Sequence, residues 1–115
     1  MANTFKSYGT TAIGTTLTDA YTVAAATTAT VIGMSVANLS VDTVITVDVV
    51  INKGVGGTGT GTDYYLVKNA PIAPGGALVV VGGDQKLVME TGNKIKVKSN
   101  TAASVDAIVS ALEIS

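Results

Sequence analysis

The sequence predicts an all-β fold, a jelly-roll-like antiparallel β-sandwich with about eight or nine short strands. β-Branched residues alternate with polar or small residues in several segments, turn residues recur roughly every 8–12 positions, and no segment shows a convincing helical period. The length of 115 residues suits one domain. We expect residues 1–16 to form an extended N-terminal arm and residues 17–115 to form the single β-sandwich domain.

The arm is predicted from a segment rich in Thr and Gly that carries only isolated apolar residues. One short strand is expected near residues 10–14. Such a terminal segment is often disordered unless something holds it down, so we expect the arm to lie across a neighbouring subunit and to become ordered there.

The strands of the domain follow in order along the chain. The clearest alternation runs from Thr43 to Asn52, where every second residue is β-branched and apolar. Residues 30–38 alternate in the same way, and we expect these two segments to form a hairpin. Pro71 and Pro74 lack a backbone N–H, so the segment that holds them should cross between strands. The other expected strands are 17–23, 63–69, 78–81, 86–90, 94–98 and 105–114.

An aliphatic core is predicted from the inward positions of these strands. Its expected members are Ile32, Met34, Val36, Ile45, Val47, Val49, Leu66, Leu78, Val80, Leu87, Ile95, Val97, Val109 and Leu112.

The run Gly54-Val-Gly-Gly-Thr-Gly59 matches the glycine pattern of dinucleotide-binding folds. In those folds the pattern opens a helix whose N-terminus holds the pyrophosphate, whereas here Thr60-Gly-Thr62 and another expected strand follow. A flexible hairpin loop is therefore the favoured interpretation.

The composition excludes several kinds of chemistry. The chain has no Cys and no His, and all seven basic residues are Lys, so a thiol nucleophile, the usual general base and an arginine clamp are missing. The net charge of −1 provides no electrostatic footprint for nucleic acid or an anionic membrane. Because the acidic residues are scattered, we expect no catalytic site, no metal site and no cofactor.

The N-terminal residues lack the apolar segment of a secretory signal, and no apolar run reaches the roughly 18 residues of a membrane span. We therefore expect a protein that is made and kept in a cytoplasm or is released by lysis.

Lys94, Lys96 and Lys98 form a basic stripe on one face of an expected strand. The stripe is either a solvated face that protects a sheet edge from unwanted pairing or a contact for an acidic protein surface. The second interpretation predicts binding that weakens with salt.

Four aromatic residues are the other possible protein contacts. Tyr64 and Tyr65 should point to opposite faces of their strand, either as ordinary strand aromatics or with one of them as an interface anchor. Phe5 and Tyr8 are apolar residues of the arm, which could lie across a neighbour.

Four segments together carry a family resemblance. They are Tyr21-Thr-Val23 with Thr30-Val-Ile-Gly-Met-Ser-Val-Ala-Asn38, Thr62-Asp-Tyr-Tyr-Leu-Val-Lys-Asn-Ala-Pro-Ile-Ala-Pro-Gly75, Gly82-Gly-Asp-Gln-Lys-Leu-Val88 and Asn93-Lys-Ile-Lys-Val97. Over residues 17–115 the chain resembles small virion structural proteins of tailed bacteriophages. The shared features are turn and strand patterns, and they transfer no catalytic or ligand residue.

The resemblance implies an all-β capsid decoration (cement) protein that binds the head shell at subunit junctions. Its partners would be the major capsid protein or other virion proteins, and it would form a homo-oligomer, a trimer or a dimer. It would be assembled in the host cytoplasm and located in the virion.

Two other interpretations stay open. The first is a neck, tail or fibre component of the same kind of particle. The second is a carbohydrate- or receptor-binding β-sandwich, which would need an exposed aromatic platform with a nearby Asp or Asn.

Overall fold

The computed structural model describes residues 2–54, 61–82 and 85–115. These residues form nine strands. They are β1 (Asn3–Ile13), β2 (Thr18–Thr22), β3 (Thr28–Asn38), β4 (Ile45–Asn52), β5 (Asp63–Ile72), β6 (Ala77–Val81), β7 (Leu87–Met89), β8 (Lys94–Ser99) and β9 (Val105–Ile114).

The strands form two antiparallel sheets that pack together. The five-stranded sheet has the order β1-β9-β3-β6, with β7 also paired to β3, and the four-stranded sheet has the order β2-β8-β4-β5. The core between them is aliphatic, with Ile13, Ile45, Met89 and Ile95 among its largest fully buried side chains. The predicted all-β antiparallel sandwich is confirmed, and the finer jelly-roll assignment stays a prediction.

The N-terminal segment differs from the expected arm. β1 spans 11 residues and pairs with β9 from Asn3 to Ile13, with a register shift after Thr10. The expected short strand near 10–14 was therefore too short. The segment has little apolar character of its own because β1 is an edge strand, where only Tyr8 and Ile13 reach the core.

The expected hairpin of segments 30–38 and 43–52 was wrong. β3 pairs with β6, β7 and β9, whereas β4 pairs with β5 and β8 in the other sheet. Both segments are strongly apolar because each contributes buried side chains to the core between the sheets. The buried Asn38 side chain supports the crossing, since its Nδ2 donates hydrogen bonds to the Thr43 and Ile72 carbonyls, each at 2.9 Å.

A β-bulge in β3 changes which residues point inward. The register between β3 and β9 shifts between Val31 and Gly33, and a bulge places an extra residue on one strand. Val31 is therefore fully buried and Ile32 is 39% exposed, which corrects the prediction that Ile32 belongs to the core.

Most other core predictions are confirmed. Leu112 is paired with Phe5 and Thr30 and points outward on the same face as these residues, so its assignment to the core was wrong. Leu66, Leu78 and Leu87 are partly buried against the core. The expected residues that lie in the buried core are Met34, Val36, Ile45, Val47, Val49, Val80, Ile95, Val97 and Val109.

The proline segment is split between a strand and a turn. Pro71 pairs with Thr46 at the end of β5, and this position is tolerated because β5 is an edge strand whose N–H groups are not all needed. The crossing to the other sheet begins after Ile72, where Pro74 and Gly75 form a turn. The predicted hairpin loop that holds the Gly54–Gly59 run includes residues 55–60, which lie outside the described part of the chain.

Candidate protein-interaction surface

The outer face of the five-stranded sheet presents apolar side chains to solvent. Register and exposure place them there, since neighbouring residues of a strand alternate between faces. We call this surface the apolar face. Its large side chains are Phe5 (74% exposed), Ile32, Val79 (68% exposed), Val88, Ile108 and Leu112.

Small residues lie between the large side chains of the apolar face. Ser7 is paired with Ser110, and Gly9 is paired with Ile108. Their size leaves shallow depressions, one of which has a volume of about 340 Å³. That depression is lined by Gly9, Thr10, Thr11, Ser35, Ala37, Asp106, Ala107 and Ile108.

The apolar face carries one charged side chain among the described residues that point outward from its strands. This is Asp106, at one end of the face, opposite Ala37. Its Oδ1 accepts hydrogen bonds from the Thr11 hydroxyl at 2.6 Å and from the Ala12 N–H at 3.1 Å. Ala12 has a φ of 56°, so the carboxylate is engaged in holding the bulge of β1.

An exposed, nearly uncharged apolar sheet face is typical of a site that another protein surface covers. Its large side chains can lose their hydration on contact, and its small residues allow a partner backbone or side chain to approach closely. Such a surface can bind another protein, and its described residues include no group of side chains that could hold a metal ion.

The three stripe lysines lie on the opposite side of the molecule, on the outer face of the four-stranded sheet. The Lys94 ammonium is 3.1 Å from an Asp19 carboxylate oxygen, and the Lys98 ammonium is 3.7 Å from Asp48. Lys96 lies opposite Asp19 and Val50 in the register. Because acidic side chains of the chain accompany the stripe, much of its positive charge is balanced internally, and a contact with an acidic partner stays a prediction.

Tyr64 and Tyr65 lie on β5, at the edge of the four-stranded sheet. Tyr64 is opposite the core residue Ile51 and Tyr65 is opposite Val50, so the two rings are on opposite faces as predicted. Both are about half exposed. The Lys68 ammonium is 4.5 Å from the centroid of the Tyr65 ring, a cation–π arrangement.

Tyr8 points to the inside of the sandwich. Its ring stacks on Tyr21 with centroids 4.7 Å apart. The hydroxyls of Tyr8 and Tyr21 donate to the same Glu113 oxygen at 2.7 and 2.6 Å. The hydrogen bond to Glu113, together with burial, raises the pKa of Tyr8 to about 12, and burial, followed by the bond to Glu113, raises the pKa of Tyr21 well above its usual range.

Of the residues selected from the sequence, Phe5 alone lies on the apolar face. The other large members were missed or were assigned to the core. Val79 and Val88 could have been found, because each is the middle residue of a short apolar strand and must point away from its buried neighbours. The outward position of Ile32 could not have been predicted, because no sequence signal marks the bulge that turns this side chain outward.

No group of three or more acidic side chains close enough to hold a metal ion occurs in the described ranges. Within the same ranges, no helix is long and apolar enough to cross a membrane. Comparisons with protein-family models, with curated proteins and with solved structures found no match.

Proposed function

We propose that this protein is a structural component of a bacteriophage virion, a capsid decoration protein that binds the head shell at subunit junctions and stabilises it. In this role it acts by binding and not by catalysis. Its partners are the major capsid protein or other virion proteins, it is a homo-oligomer, and it joins the particle in the host cytoplasm.

The apolar face is the observation that supports this proposal most. A decoration protein needs one broad surface for the shell and a fold that is stable without cofactors. Phe5, Val79 and Ile108 contribute to such a surface, and each of these side chains is about half exposed or more. Each contact can be modest, because many copies on one particle act together and raise the effective affinity.

The same surface would serve a neck, tail or fibre component, so location distinguishes this second candidate. A carbohydrate-binding role has less support. Tyr64 and Tyr65 lie on opposite faces of β5 and therefore do not form the single aromatic platform that stacking on a sugar ring requires.

The experiment is antibody-gold labelling of intact particles of the virus that encodes the chain, with pre-immune serum as the control. We expect label spread over the head. Label confined to the neck or tail would favour the second candidate, and particles without label would overturn the virion role.

A further inference from the structure

The edge of β1 is open for strand pairing. Ala2 and Ser115 exchange both of their backbone hydrogen bonds, at 2.8 and 3.1 Å. Since hydrogen-bonded and non-hydrogen-bonded pairs alternate in an antiparallel ladder, the even-numbered residues of β1 face β9. The odd-numbered residues Phe5, Ser7 and Gly9 therefore point their N–H and C=O groups away from the sheet.

The other sheet edges are interrupted among the described strands. β5 has register shifts against β4 and contains Pro71 near its end. β2 has five residues and a register shift, and the far edge of the five-stranded sheet is divided between the short strands β6 and β7. Bulges, prolines and short strands are the usual means by which edges avoid pairing. β1 instead keeps one register from Asn3 to Thr10.

We propose that β1 pairs antiparallel with β1 of a second copy about a twofold axis at Ser7, so that the two five-stranded sheets become one continuous sheet. The proposed pairing does not depend on the virion role. It selects a dimer from the oligomers that the sequence left open.

The side chains on the two faces of β1 select the register of the proposed β1–β1 pairing. With Ser7 on the axis, Phe5 of each copy lies opposite Gly9 of the other. The space above Gly9 is open, since a Cβ built there meets no atom within 4 Å, and an aromatic ring over a glycine covers exposed backbone across a strand pair. A register centred on Lys6 would instead place two ammonium groups directly opposite each other, which is unfavourable.

The pairing has a defined hydrogen-bond set. Ser7 pairs with Ser7 of the second copy, and each Phe5 pairs with a Gly9, which gives six backbone hydrogen bonds if every pair exchanges two. The two apolar faces then lie side by side on the same side of the joined sheet. The contact thus enlarges the apolar face and does not cover it.

Sedimentation equilibrium of the full chain is the first test. We expect the wild type to have twice the monomer mass of 11.5 kDa. Ser7→Pro removes an outward N–H and leaves the bonds to β9 in place, so it should raise the dimer Kd by at least about tenfold. Val79→Lys, on the same face but at the opposite edge, should not change the Kd. A monomeric wild type, an unaffected Ser7→Pro dimer or a monomeric Val79→Lys variant would each overturn the inference.

Cross-linking provides a test that does not depend on how Ser7→Pro folds. The chain has no cysteine, so Ser7→Cys introduces one thiol into each copy. The twofold axis at residue 7 places the two thiols of the dimer next to each other. A short thiol-to-thiol reagent should link this variant into a dimer. In the control Asn3→Cys, the two thiols are eight residues apart along the paired strands, about 27 Å, and no link should form. Equal cross-linking of the two variants would contradict the proposed register.

Discussion

At the scale of single residues, Glu113 joins the two sheets through one carboxylate. It lies on β9 and accepts hydrogen bonds from Tyr8 on β1 and Tyr21 on β2, so three strands and both sheets meet at one oxygen. The hydrogen bond from Tyr21, the bond from Tyr8 and the nearby Lys6 ammonium lower the pKa of Glu113 against the opposing effect of burial. The ionised carboxylate is therefore part of the folded state.

Glu113→Gln should lower the free energy of unfolding at pH 7 by about 1–3 kcal/mol, because two hydrogen bonds to a charged acceptor become bonds to a neutral one. Denaturant unfolding followed by tyrosine fluorescence measures this change. The matched control is Glu90→Gln, since the Glu90 side chain is 72% exposed and pairs with Lys53 at the surface. That change should cost less than about 0.5 kcal/mol, and equal costs for the two variants would contradict the role of Glu113.

The same carboxylate makes stability depend on pH in a defined direction. Because the pKa of Glu113 is lower in the folded chain than its ordinary value of 4.5, its contribution is present above about pH 4.5 and is lost as the pH falls through the lowered value. The difference in unfolding free energy between wild type and Glu113→Gln should therefore shrink on acidification. A difference that stays constant from pH 7 to about pH 2 would rule out this linkage.

At the scale of elements, the bulge of β3 decides which side of the strand belongs to the core. Simple alternation places Ile32 with Met34 and Val36 on one face. The bulge replaces Ile32 by Val31 at the inward position and leaves Met34 and Val36 buried. One inserted residue thereby transfers a large apolar side chain from the core to the apolar face.

Alanine substitutions on either side of the bulge should differ. Val31→Ala removes two methyl groups from a fully buried side chain and should lower the free energy of unfolding by about 1.5–3 kcal/mol. Ile32→Ala removes more atoms from an exposed side chain and should cost less than about 1 kcal/mol. Thermal or denaturant unfolding of both variants provides the comparison, and a larger cost for Ile32→Ala would contradict the bulge.

At the scale of the whole molecule, the two outer faces have different character. The four-stranded sheet presents lysines paired with Asp19 and Asp48, which suits contact with water. The five-stranded sheet presents Phe5, Val79 and neighbouring apolar residues. A protein that needed only to remain soluble would gain from polar residues on both faces, so this asymmetry supports the proposal that the apolar face binds a partner.

The sequence predicts the fold class and most strands because alternation and turn residues are local signals. The burial of Ile95 and Val97 beneath the lysine stripe follows from the same alternation. The pairing of strands does not follow from alternation, because the choice between a β3–β4 hairpin and a crossing depends on contacts between residues that are far apart along the chain. The sequence also did not predict that residues 3–9 form a strand, because this segment is held in the sheet by pairing with β9 at the other end of the sequence.

The apolar face could be predicted only in part from the sequence. Alternation identifies Val79 and Val88 as outward residues within short strands, but it cannot show that they share one face with Phe5 and Ile108. That grouping depends on the order β1-β9-β3-β6, which is a property of the assembled sheet.

The most direct test of the proposed virion role is the number of copies per particle when Val79→Lys is introduced into the phage that, under this proposal, encodes the chain. The matched control is Val41→Lys, because Val41 is 93% exposed but lies in the connection between β3 and β4, outside the apolar face. A lysine inside a buried apolar contact loses its hydration and is strongly unfavourable. We expect Val79→Lys to reduce the copy number at least about tenfold, with Val41→Lys at the wild-type number. Equal copy numbers for both variants would contradict the claim that the apolar face binds the particle.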